Sequence, residues 1–220
     1  FSLLRRILTF ALLLLIPVLT SGSSDFDPAE FFSNERQQLV RERYGEEAFR
    51  RFRDWQQLFL TSQSLDDLEK LNVVNQFFNQ LQFKNDKEVW RKADYWATPI
   101  EFTSIGAGDC EDFSIAKYFS LVSLGVDEKK LRITYVKALK INQAHMVLTY
   151  YPTPSAIPLV LDNLDGDIKP GNKRPDLVPI YSFNGQGLWL AKERGKGKRL
   201  GQSSEMEMWS DLSKRMQQGL

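Results

Sequence analysis

Between residues 105 and 131 the spacing of apolar residues passes from a helical period to a strand period, and that change limits the folds open to the chain. Before it, residues 25 to about 83 read as helical. Asp27-Pro28-Ala29-Glu30 offers an N-cap acid, a proline in the first turn and a glutamate at the third position. Phe49, Phe52, Trp55, Leu58 and Phe59 recur at helical spacing. Ser64-Leu65-Asp66-Asp67 opens a further helix with Leu68, Leu71, Val74 and Phe78 along one face. Residues 113–124 are apolar on most faces, with Lys117 the main exception, which predicts a helix buried in mid-fold and ended by Gly125. Strands are then expected over 131–139, 144–151 and 158–164. A hairpin around Asn184-Gly185 joins 179–183 to 188–191, and a closing helix covers 204–217. Short connections favour antiparallel pairing. The expected class is α+β: a helical N-terminal lobe, residues 25–93, and a lobe of residues 94–220 in which one central helix packs on an antiparallel sheet.

Composition allows a sizeable core, since 42% of the 220 residues are apolar and 12% aromatic. A net charge of +1 provides no general field for nucleic acid. The one local basic run, residues 192–199, is interspersed with glycine and reads as a solvated loop. At the N-terminus Arg5 and Arg6 precede an apolar run, residues 7–19, followed by Thr20-Ser21-Gly22-Ser23-Ser24. This pattern predicts an export signal over residues 1–24, with an uncleaved anchor as the alternative. Export usually leads to an oxidising compartment, where a lone thiol is at risk. The chain nevertheless keeps one cysteine, Cys110. A buried inert thiol is one explanation, and a reactive one is the other.

Cys110 stands in GDCEDFS, flanked by Asp109, Glu111 and Asp112, at the start of the expected buried helix. Free N–H groups and the helix dipole favour an anion there. The three acids oppose it, because nearby negative charge disfavours a thiolate. His145, the only histidine, falls on the second expected strand and Asp162 on the third. With the hairpin apex near Thr153-Pro154, the two residues come to lie directly opposite each other on one face. An imidazole can then take the thiol proton and return it to a leaving group, while the carboxylate orients the ring. The Cys110 backbone N–H is placed to face a developing oxyanion. A second donor is open among Trp96, Asn163 and Gln143. For the acids, the residues themselves favour helix capping by Asp109, with Glu111 and Asp112 in the first turn.

The stretch DYWATPIEFTSIGAGDCEDFSIAKYFSLVSLGV, followed by LRITYVKA, QAHMVLTYY, PLVLDNL and RPDLVPIYSFN, resembles the bacterial transglutaminase-like cysteine proteinases, in particular the periplasmic members that cleave large biofilm adhesins. The match spans residues 94–189. The resemblance implies a papain/transglutaminase-like fold and a catalytic triad at Cys110, His145 and Asp162. It also implies dependence on Ca2+, with the ligand acids falling on Asp109, Glu111 and Asp112. The implied substrate is a surface adhesin cut beside a di-alanine near its N-terminus. The implied partner is an inner-membrane cyclic di-GMP receptor that sequesters the protease. A bound dication would cancel the field of the acids around the thiol. Two rival readings share the motif: a transglutaminase, in which an amine replaces water, and a binding module without turnover.

Overall fold

The computed structural model describes residues 27–190 and 197–218. The expected export segment and part of the basic run lie outside the described residues. Among the described residues no helix is long and apolar enough to cross a membrane.

Four helices open the fold: α1 (Pro28–Phe31), α2 (Asn34–Tyr44), α3 (Glu46–Ser62) and α4 (Asp67–Phe78). Asp27 caps the first, accepting from the Ala29 N–H at 2.8 Å. Asp66 and Glu69 form a reciprocal capping box on α4. The helical reading to residue 83 overran. Helix α4 stops at Phe78, and the short strand β1 (Gln82–Phe83) follows. Leu68 also leaves the expected face. It is half exposed, while Leu71, Val74 and Phe78 are buried, because the buried stripe runs through Lys70, Leu71, Val74, Asn75 and Phe78 instead. Phe52, Trp55 and Phe59 are core residues as their spacing predicts.

Next come α5 (Asp86–Val89), α6 (Pro99–Ile105), β2 (Ala107–Gly108) and the central α7 (Cys110–Ser123). Helix α6 carries a capping box between Thr98 and Glu101, with Pro99 in its first turn and Gly106 left-handed at its end (φ 75°). Thr98-Pro99-Ile100-Glu101 carries that signature in the sequence, and the helix it starts adds to those expected. The expected loop before Cys110 is the strand β2, parallel to β1.

The sheet is formed by β3 (Leu131–Ala138), β4 (Gln143–Tyr150), β5 (Leu159–Leu161), β6 (Lys169–Pro170), β7 (Leu177–Asn184), β8 (Gly187–Leu190) and β9 (Arg199–Gly201), in the order β6-β5-β4-β3-β7-β8-β9. Its neighbours are all antiparallel. Alternation along the strands separates two faces. Ile133, Met146, Leu148, Leu161 and Phe183 join a continuous core with α3, α4, α6 and α7. Val136, Val147 and Val160 form a second, smaller cluster on the opposite face.

The closing helix α8 (Glu207–Gln218) locks the segment that leads into the central helix. Arg215 Nη1 donates to Glu101 Oε2 at 2.8 Å and to the Tyr95 hydroxyl at 3.0 Å. Its Nη2 donates to the Trp96 carbonyl at 2.5 Å, and its Nε to Asp211 at 2.9 Å. The planar fork of a guanidinium suits this set of acceptors, and an ammonium does not. Arg215→Ala therefore leaves Glu101, only 10% exposed at its side chain, without its cation. Chemical denaturation is expected to show a loss of about 2–4 kcal/mol, with Arg215→Lys recovering only a minor part.

Candidate active site

The site begins with a tight backbone approach. A Cβ at Gly108 would overlap the Asp112 carboxylate and come within 2.8 Å of the Phe102 ring, so only glycine fits there. Asp112 is fully buried beside it. Its Oδ1 accepts from the Ala97 N–H at 2.8 Å and its Oδ2 from the Trp90 indole at 3.4 Å. This pins the Tyr95–Ala97 segment against the start of α7.

Asp109 occupies the N-cap position of α7, yet its side chain makes no capping hydrogen bond, and its Oδ1 is buried without a partner. Capping is therefore a minor role for its carboxylate, on which the pull of the Glu111 backbone N–H is outweighed by burial and by the Glu111 side chain. Asp86, from the start of α5, joins the same cluster. Its Oδ2 accepts from the Tyr95 N–H at 2.6 Å, and its Oδ1 is a second buried oxygen without a partner. Ligand oxygens of Asp86, Asp109 and Asp112 lie within 4.8 Å of one another, as do those of Asp86, Asp94 and Glu111. Among the described residues no lysine or arginine makes an ion pair with any of the five. Burial first, and then the charge of Asp109, pushes Asp86 up to about 6. Burial, then the hydrogen bond and charge of Glu111, raise Asp109 further, to about 8. Concentrated negative charge with orphaned buried oxygens and no resident cation suits a hard dication, which takes several oxygen ligands. The donor set thus fits calcium. Asp86 and Asp94 complete it, and sequence reasoning missed both. They lie well before Cys110 in the chain, and Asp86 reads as an ordinary acid in a first helical turn.

Cys110 is a free, partly exposed cysteine at the first residue of α7. Its thiol donates to Glu111 Oε2 at 3.0 Å. Burial first, then the charge and hydrogen bond of Glu111 and the charge of Asp109, push the thiol well above its usual range. The Met146 backbone N–H works in the opposite direction. The thiol thus reaches β4 one residue along from His145.

His145 and Asp162 are buried and bonded, Nε2 to Oδ1, at 2.7 Å. The route to that contact differs from the expected one. Leu148 pairs with Leu161 and Thr149 with Val160, so the same register continued by one step sets Val147, not His145, opposite Asp162. The slip is by two residues, which preserves the face, and the pair meets on the diagonal just past the end of β5. With Nε2 held by Asp162, Nδ1 is the ring nitrogen left to a thiol. Among the described residues no hydrogen bond joins His145 to Cys110, whose proton is directed at Glu111 instead.

Asp162 is heavily supported. Its Oδ1 also accepts from the Leu164 N–H at 3.0 Å, its Oδ2 from Arg174 Nη2 at 2.7 Å, and its carbonyl from Asn79 Nδ2 at 2.9 Å. Burial works to raise this acid, but His145, Leu164 and Arg174 outweigh it and hold it at about 2. Asn79 in turn accepts from Lys117 Nζ at 2.7 Å. Lys117, read as the polar exception on α7, is 1% exposed and forced down to about 7 by burial, against the pull of Asp162. Arg174 and Asn79 are further residues that sequence reasoning did not single out. Of the three candidate oxyanion donors, Gln143 is exposed, the Trp96 ring stacks on Phe183 at 5.5 Å, and Asn163 keeps a buried Oδ1 without a partner.

Residues 41–191 match the family described as bacterial transglutaminase-like cysteine proteinase, BTLCP. A search of curated proteins returned no match. Among solved structures, EGTA-treated LapG of Legionella pneumophila is 45% identical with a TM-score of 0.74, covering 83% of this chain and 96% of its own. LapG of the same organism gives 44% and 0.73, with 83% and 94% covered. Its calcium-bound form gives 45% and 0.72, with 83% and 97% covered. By family match and by likeness of sequence and fold, the chain belongs to the bacterial transglutaminase-like cysteine proteinases.

Proposed function

We propose that the chain is a calcium-dependent endopeptidase working through Cys110, His145 and Asp162. The observation that carries the reading is the buried 2.7 Å His145–Asp162 pair, set at the same end of β4 as the one cysteine. In the cycle, His145 Nδ1 takes the Cys110 proton, and the sulfur attacks the scissile carbonyl carbon. The Cys110 N–H, free at the start of α7, donates to the oxyanion. His145 then passes the proton to the leaving amine, and water, deprotonated by the same ring, releases the acyl group from sulfur. Asp162 stays ionised throughout and stabilises the imidazolium. Asp86, Asp94, Asp109 and Glu111 would hold the calcium, with Asp112 beside them fixing the segment of Ala97. When bound, calcium supplies the positive charge that the acid cluster lacks and competes with the thiol for Glu111.

The physiological reading follows the same likeness. The substrate is a large surface adhesin cut beside a di-alanine near its N-terminus, so that its release disperses a biofilm. The protein acts in the periplasm after export, and an inner-membrane cyclic di-GMP receptor sequesters it. A calcium-bound relative at 45% identity supports the metal. The leader-like residues 1–24 support export.

Two measurements test the site. Alkylation of Cys110 by iodoacetamide is expected to be fast below pH 8 with calcium and slow with a chelator. His145→Ala should slow the calcium form by roughly 10²–10⁴-fold, the usual contribution of a general base, and Cys110→Ala should abolish cleavage of an adhesin fragment. Equal alkylation rates in all forms would remove the catalytic reading. The second measurement is calcium affinity against pH by calorimetry. Because Asp86 and Asp109 titrate near 6 and 8 in the metal-free fold, binding must expel protons. Affinity should rise from pH 6 to 8 and level off above. The same raised groups make the metal-free protein lose stability as pH climbs through that window, since the native state then binds more protons than the unfolded chain. Thermal unfolding with a chelator should follow that slope, and saturating calcium should remove it.

A further inference from the structure

The sheet face turned away from α7 holds a cleft of about 520 Å³, a volume typical of small-molecule sites. Its floor is apolar. Val136, Val147 and Val160 are each 5% exposed or less and pack with Leu177. Beside them the Thr134 and Thr149 hydroxyls bond each other at 2.8 Å, so those polar atoms are already satisfied. The unsatisfied ones belong to two arginines that line the same cleft.

Arg174 is 4% exposed. Its Nε bonds Asp176, and its Nη2 bonds Asp176 and Asp162, but Nη1 is buried with no partner. Arg132 makes no ion pair among the described residues. Its guanidinium lies 5.1 Å from the Tyr151 ring centroid and 4.4 Å from that of Trp189, and its Nε is also buried without a partner. Among the described residues no aspartate or glutamate lines the cleft. A buried donor left unpaired costs about 1–3 kcal/mol, so two of them on arginines that line one cleft favour an acceptor beside them.

We infer that this cleft binds a small amphipathic carboxylate, its apolar body on the valine floor and its carboxylate at the Arg132 and Arg174 guanidiniums. A neutral apolar molecule would leave the donors unpaired. A bare inorganic anion would leave the floor unused, and a cation would meet the charge of Arg132, which makes no ion pair among the described residues. Because Arg174 also holds Asp162, the ligand would share a support with the His145 pair. The inference does not rest on the proteolytic reading, since nothing in it uses the thiol.

The test is a titration of the full chain with decanoate below its micelle concentration, followed by calorimetry and by tryptophan fluorescence, with Trp189 as the reporter beside Arg132. Saturable one-site binding is expected, with decanol at least about tenfold weaker, the difference made by one charge-assisted hydrogen bond, and inorganic phosphate weaker still. Arg132→Met should weaken decanoate by about tenfold and leave decanol unchanged, and Trp189→Phe should remove the fluorescence change but not the heat. Absence of saturable decanoate binding, or equal binding of decanoate and decanol by the native protein, overturns the inference without recourse to any variant. So does an Arg132→Met protein that binds decanoate as tightly as the native one.

Discussion

Five carboxylates gathered around one helix start, none in an ion pair with a lysine or arginine among the described residues, set the terms for the rest of the site. Burial prevents water from screening Asp86, Asp109, Glu111 and Asp112, so each resists ionisation, and burial together with Glu111 and Asp109 holds the Cys110 thiol protonated. The helix dipole pulls the other way, but its contribution of about 0.3–1 kcal/mol is small against several buried like charges. In the metal-free fold the protein therefore holds a nucleophile in its unreactive form. The cost of assembling the acids is met by surrounding order. Ala97 and Trp90 bind Asp112, Tyr95 binds Asp86, and Arg215 clamps the segment between them from the other side.

The opposite half of the site has the reverse electrostatics. Asp162 is ringed by donors and stays ionised even though it is buried. Arg174 in direct contact with its carboxylate, and Asn79, itself bonded to Lys117, on its carbonyl keep the acid fixed beside the His145 ring. The site thus sets two carboxylate environments side by side, one raising pKa values and one lowering them, the separation that the proposed division between acid cluster and proton shuttle needs.

The sequence was most readable where local rules govern. The helix starts at Asp27 and Asp66, the Gly125 stop, the strand alternation and the hairpin at Asn184-Gly185 all depend on neighbours in the chain, and the structure has them. The His145–Asp162 contact was legible in parity but not in register. The hydrogen-bonded turn between β4 and β5 spans Thr153–Ala156, one residue beyond the expected Thr153-Pro154 apex, and that shift slips the register by two residues while keeping the shared face. Long-range roles were out of reach. Asp86 reads as helix chemistry, Lys117 as a polar exception on an apolar helix, and Arg174 carries no local signal, because burial and charge partners arise only when distant segments pack. Leu68 failed for the simpler reason that a stripe drawn from four residues can be rotated by one position.

The Arg215 clamp also bears on when the enzyme comes into being. Arg215 and the Trp96 carbonyl it grips are 119 residues apart in the chain. Domains emerge from synthesis N-terminal end first, and contacts of such separation form late. The segment that seats Asp112 and Asp86 thus remains unclamped until α8 has been made and has docked. Nascent chains, and folding intermediates that lack that last helix, carry the cysteine, the histidine and the acids without the framework that aligns them, a safeguard against hydrolysis by a protease still under construction.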